Sequence, residues 1–221
     1  MYNLKNKLLP TSIALILSLF GITFLGDIFK WIYNPQSYSS VIIFSDIRKW
    51  LFALLVILIV WFWEKRKMES VGVRKLEIRT VLAAVMFGVI SVISGVIVLG
   101  VFINFLGIEQ PETLSGITQL PLIIKLLTIT TAAITEELFY RGYAIERIGE
   151  LSGSYLLAGL ISGVIFLGIH YSSWKLAGAI PQFIFTVSLV VFYLKKRNLI
   201  ASIIMHWVIN FLMLIVLPTF I

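Results

Sequence analysis

Apolar residues run along this chain in seven blocks, roughly 8–26, 50–63, 81–106, 121–148, 155–171, 177–194 and 199–218, separated by segments that collect the charges and turn formers. Blocks that are apolar on every face and approach 20 residues are the mark of helices crossing a bilayer. The pattern predicts an all-α integral membrane protein, a polytopic bundle of about seven transmembrane helices, with six to eight as the range. Block 50–63 is short for about 30 Å of hydrocarbon, so its helix is expected to borrow residues from Ile47 onward. Block 121–148 is long and is expected to tilt or break, with Gly142 as the weak point. The segment 31–43 mixes aromatics with Asn34, Pro35 and serines and reads as an interfacial turn or a lying helix.

Composition agrees with the pattern: 59% of residues are hydrophobic, 13% are charged, and mean hydropathy is +1.00. That balance excludes a soluble domain of useful size, so function is expected within the bundle and its short loops. The first block fills a whole span without a small-residue cleavage site and is expected to be a retained helix. The chain has no cysteine, which excludes disulfides, thiolate metal ligands and a cysteine nucleophile together. One structural domain is expected, with 1–120 holding the N-terminal helices and the basic loop 64–79, and 121–221 holding a four-helix core.

The net charge of +7 serves topology. With the N-terminus cytoplasmic, seven alternating spans leave only Lys30, Arg48, Lys49, Lys125 and Lys175 of the 18 basic residues on the outer side, and put Glu109 and Glu112 in an outer loop. The bias suits a plasma membrane protein, with attraction to anionic lipid as a side effect, and gives no reason to invoke nucleic acid.

Ionisable groups within these blocks are few and concentrated in three places. The segment TEELFYRG carries Glu136, Glu137 and Arg141; FLGIH ends on His170; HWVIN begins with His206 and includes Asn210. Charged and titratable groups at hydrocarbon depth are costly and mark functional sites by default. Each has a blander reading. Glu137 and Arg141 stand i, i+4 and form a structural ion pair on one helical face. His170, beside Tyr171 and Trp174, fits an interfacial aromatic belt. His206 and Asn210, also i, i+4, are able simply to hydrogen-bond between helices. The joint occurrence favours a site, with Glu137 paired to Arg141 and Glu136 left unpaired for general-base work. Counted from the inner helix ends at about 1.5 Å per residue, Glu136 lies about 18 Å in, His206 about 12 Å and His170 about 24 Å, so convergence requires tilt or a break.

These three segments resemble the signature of the CPBP family of intramembrane proteases, also called the Abi or CAAX-protease family. The pattern of two glutamates, three residues and arginine is matched by Glu136, Glu137 and Arg141. Phenylalanine, three residues and histidine is matched by Phe166 and His170. Histidine, three residues and asparagine is matched by His206 and Asn210. The resemblance covers roughly 121–218. It implies that Glu136 with His170 activates a water, that His206 and Asn210 stabilise the tetrahedral oxyanion, and that Glu137, Arg141 and Phe166 support the site.

Two histidines and no cysteine exclude a three-histidine zinc site, leaving only His170, His206 and one glutamate, Glu136, as a set. The helical HExxH spacing is absent. A metal-independent glutamate mechanism is favoured, with zinc as the alternative. Ser162, Ser172, Ser173 and Ser202 lack a GxSxG context and read as packing residues. Three functions of different class follow. The first is an endopeptidase acting on a membrane-associated or lipid-modified peptide. The second is a non-enzymatic binding module, for which the bacterial branch of the family offers bacteriocin self-immunity. The third is a proton-relay transporter, which expects two related halves that the sequence lacks. Small size suits the bacterial branch, where a bacteriocin, a pheromone or a signal remnant fits better than a prenylated substrate. Oligomeric state stays open, with Gly153, Gly159, Gly163 and Gly168 allowing close helix approach within or between chains.

Overall fold

The structure, a computed structural model, describes residues 5–23, 37–107 and 116–219. Lys30, residues 31–36 of the segment 31–43, Glu109 and Glu112 lie outside the described residues. Helices make up the chain: α1 (Lys5–Ile16), α2 (Tyr38–Leu58), α3 (Ile78–Leu106), α4 (Leu122–Glu136), α5 (Glu146–Ser152), α6 (Tyr155–Lys196) and α7 (Leu199–Phe211). Wider π turns extend α1 over Leu17–Gly21, α2 over Ile59–Trp63 and α7 over Leu212–Val216, and a π segment, Glu137–Ile145, joins α4 to α5. No strand occurs among the described residues, and the protein is an all-α membrane protein.

Local chemistry sets the helix starts. Ser37 and Ser40 form a reciprocal capping box at the head of α2, Ser154 Oγ accepts from Leu157 N at 3.2 Å, and Asn198 Oδ1 accepts from Ala201 N at 3.2 Å. The Ser37 cap changes one expectation: 37–43 is the first part of a helix that begins well before Ile47, and is not a turn. Gly153, at φ +72°, closes α5 in the left-handed conformation.

Three helical stretches are long and apolar enough to cross a membrane by length and composition: Ile78–Phe102, Gly178–Lys196 and Leu199–Thr219. Leu8–Gly21 and Tyr155–Tyr171 are shorter apolar helices. The helices from Tyr38 and from Leu122 carry Asp46, Arg48, Lys49, Glu136, Glu137 and Arg141 at mid-length, the charges from which the site is built.

Blocks five and six form one helical run, because no non-helical residue separates them. A straight 42-residue helix would span about 60 Å. Yet the Arg197 guanidinium lies 3.7 Å from the ring centroid of Tyr155, and a Cβ on Gly159 would fall 2.9 Å from Val190 Cγ1. The run therefore doubles back between Tyr171 and Gly178, and its arms pack antiparallel as two spans. Gly159 and Gly163 face the returning arm of the same chain.

Packing follows membrane rules. Leu82, Met86, Ile90, Ile93 and Ile97 of α3 are exposed, as lipid-facing residues must be, while Ala84, Ser91 and Val92 are buried against α6 and α7. Gly88 lets the backbone of α7 approach, since a Cβ there would meet Met205 O at 3.1 Å. A second core, with Phe52, Val56, Phe139, Tyr143, Phe166 and Tyr193, joins α1 and α2 to the π segment and α6.

The long fourth span is not broken at Gly142. It runs helically from Leu122 to Ser152, and its middle widens instead. Gly142 serves a different purpose, since a Cβ there would fall 2.8 Å from Val71 O, so only glycine admits the loop below. At that end Glu64 is buried against Arg147, with Arg147 Nη2 donating to Glu64 Oε2 at 2.6 Å and Tyr143 and Thr11 donating to Glu64 Oε1 at 2.7 and 2.9 Å. Arg147 also donates to Ser70 O and Oγ. This network ties α1, the basic loop and α5 together.

Candidate active site

Glu136 closes α4 and Glu137 opens the π segment. Adjacent helical residues project about 100° apart, so the two carboxylates serve different neighbours. Glu137 Oε1 lies 2.9 Å from Arg141 Nη1 and 2.9 Å from His206 Nδ1. The expected Glu137 to Arg141 pair is present and wholly buried, as an ion pair rather than an aligned hydrogen bond, and Glu137 also holds His206. Phe166 completes the enclosure: Arg141 lies 4.4 Å over its ring, and the rings of His170, Tyr140 and His206 stand 4.2, 4.8 and 6.4 Å from it. One aromatic face thus stabilises the buried guanidinium and spaces the two histidines.

Glu136 is not unpaired. Lys49 Nζ, from α2, donates to its Oε1 at 2.8 Å, while its Oε2 faces His170 Nε2 at 3.8 Å. That gap is too long for a hydrogen bond, and wide enough for one water to touch both atoms. His170 Nδ1 stands 2.8 Å from the carbonyl of Phe166, which accepts, so Nδ1 carries the proton and Nε2 presents its lone pair. Glu136, His170 and His206 thus come together although their depths counted along straight helices differ.

A cavity of about 230 Å³ opens beside these groups, and Glu136, His170, His206 and Asn210 all line it, with Lys49, Asp46 and Gln182. A second, also of about 230 Å³, lies across the same wall, lined by Ile22, Tyr140, Ile169 and again Lys49, Glu136 and His170. The Glu136 and His170 pair therefore lines both cavities.

Threonines of α4 hold its neighbours in register. Thr128 donates to Asp46 Oδ2 at 2.8 Å, Trp50 Nε1 donates to Thr131 Oγ1 at 3.0 Å, and Trp207 Nε1 donates to Thr130 Oγ1 at 3.1 Å. Lys49 and Asp46 escaped the sequence reading, which placed Lys49 among outer topology charges. The signal was present: a span that must begin at or before Ile47 carries Arg48 and Lys49 into the bilayer, where each needs a partner.

The metal alternative meets an obstacle. Among the described residues no three His, Cys, Asp or Glu side chains are grouped to hold an ion. The Lys49 ammonium also stands against the Glu136 carboxylate that would be the third ligand. Ser162 donates to the Tyr140 carbonyl at 2.6 Å, a packing bond between helices that leaves no activated hydroxyl.

Fold and site together define a class: a helical membrane protein that holds carboxylate, imidazole and amide groups around a cavity inside the bundle. Residues 118–212 match the family model described as Type II CAAX prenyl endopeptidase Rce1-like, the family whose signature the three motifs resemble. The matched stretch includes every motif residue from Glu136 to Asn210 and supports a CAAX-type intramembrane endopeptidase in general. No curated protein and no solved structure matches the chain.

Proposed function

We propose that the protein is a metal-independent intramembrane endopeptidase that hydrolyses a membrane-associated or lipid-modified peptide. The observation that carries this reading is the 3.8 Å gap between Glu136 Oε2 and His170 Nε2 on the wall of a cavity that His206 and Asn210 also line. Both atoms facing the gap are acceptors, so a water there donates to each and turns a lone pair towards the substrate carbonyl. Its oxygen attacks the carbonyl carbon as one proton passes to Glu136, and the carbonyl π pair moves onto oxygen. Asn210 Nδ2 and His206 Nε2 are the donors for that oxyanion. Because His206 gives its Nδ1 proton to Glu137, Nε2 donates only from the doubly protonated ring, and the Glu137 carboxylate supports that cation. Collapse of the intermediate breaks the C–N bond, and the proton held by Glu136 leaves with the amine.

The test is cleavage of a membrane-reconstituted peptide library by wild type and Glu136→Gln, with and without a strong zinc chelator. Cleavage that needs Glu136 and survives chelation is expected. Loss on chelation would move His170 and His206 to metal ligands. Wild-type and Glu136→Gln samples that bind library members equally and cleave none would point to the immunity or binding reading.

A further inference from the structure

We propose that Lys49 belongs to the catalytic apparatus as a positioning residue that pins one oxygen of Glu136 and leaves the other as the base. The inference rests on the endopeptidase reading and adds to it a residue from α2, far outside the matched 118–212. A free carboxylate rotates and offers its two oxygens alternately. Here Lys49 Nζ holds Oε1 at 2.8 Å, so Oε2 is the oxygen turned to His170.

The lysine is itself held in place. Asp46, one turn earlier on α2, accepts from Thr128, and Trp50, the next residue, donates to Thr131, so hydrogen bonds to α4 flank the Lys49 to Glu136 contact on both sides. These contacts set the depth of α2 against the helix that carries the base. A merely structural ion pair would be closed on all sides, as Glu64 and Arg147 are. Lys49 instead borders both cavities, with 16% of its side chain exposed, beside the carboxylate it holds.

The experiment uses the full chain in liposomes and the most rapidly cut member of a library of quenched-fluorescent lipopeptides. Lys49→Met and Lys49→Gln are expected to lower kcat on the order of a hundredfold, the cost of a base misplaced by about 1 Å. KM should move by no more than roughly twofold, because the lysine orients the base rather than binding substrate. Lys49→Arg should recover about tenfold of that loss by restoring a cation to Oε1. Thermal unfolding gives a readout independent of turnover: Lys49→Met should melt earlier, and adding Glu136→Gln should restore most of the melting temperature by removing the orphaned charge. Wild-type kcat in a folded Lys49→Met protein would overturn the proposal, as would a change confined to KM or no recovery by arginine. Should Glu136→Gln keep wild-type cleavage, the endopeptidase reading itself falls and this proposal with it, whereas loss in Glu136→Gln without loss in Lys49→Met refutes the lysine's role alone.

Discussion

Two of the buried ionic clusters among the described residues are built differently. At the basic end, Glu64 and Arg147 are 0% and 1% exposed, and every oxygen and guanidinium nitrogen of the pair has a hydrogen-bond partner. In mid-bundle, Glu137 Oε2 is buried without a hydrogen-bond partner among the described residues, and Glu136, whose Oε2 stops 3.8 Å short of His170, lines two cavities. A complete network fixes the chain. An incomplete one beside a cavity keeps polar atoms available to something that enters. The comparison teaches that burial and charge do not by themselves mark a site in a membrane protein; unspent hydrogen-bonding capacity facing a space does.

The sharpest way to break the comparison is to neutralise one carboxylate in each cluster. Glu136→Gln should abolish cleavage while the protein still folds, read by turnover and size-exclusion profile. Glu64→Gln should do the reverse: it leaves Arg147 buried without its charge partner, at a cost of about 3–5 kcal/mol, and removes active protein by unfolding it rather than by slowing chemistry. Arg141→Ala should belong with Glu64→Gln despite its place in the site, because it removes the guanidinium from the wholly buried Glu137. Equal folding and equal activity for all three variants would dissolve the distinction.

A smaller effect tests the donors assigned to the oxyanion. His206→Ala and Asn210→Ala should each lower the rate on the order of a hundredfold, the usual loss for one such donor. Smaller still is Gly142→Ala, where the new methyl carbon would lie 2.8 Å from Val71 O. It should cost about 1–3 kcal/mol in thermal unfolding, since the loop below must shift.

The mildest prediction concerns pH. Burial alone would raise the Glu64 carboxyl, but hydrogen bonds from Arg147, Tyr143 and Thr11, with the charge of Arg147, outweigh burial and hold it below its ordinary value of 4.5. A depressed folded-state value contributes stability above the unfolded value, and that contribution is lost as pH falls through the folded one. Melting temperature should therefore decline on acidification below about pH 4.5, and Glu64→Gln should flatten the decline.

Much of the architecture was legible from hydrophobic runs, because lipid imposes one requirement on every outward face and nothing local competes with it. The pairing of Glu137 with Arg141 was legible too, since i, i+4 neighbours meet on any helix, even one that widens into π turns. The partner of Lys49 was not, because it lies 87 positions away on another helix and no local spacing encodes that meeting. Nor was the role of Gly142: a glycine that weakens a helix and a glycine that admits a carbonyl look alike in one dimension.

By itself, then, the sequence determined the class of solvent, the helical content, and three segments where ionisable groups resist the apolar pattern, because each is a property of composition and short-range spacing. Only the tertiary structure decided that 155–196 folds back on itself and that His170 and His206 flank one phenylalanine. It alone decided that Glu136 has a lysine partner, and which polar atoms remain uncommitted beside a cavity. These are contacts between distant helices, set by how side chains of particular length and shape fill the space between them.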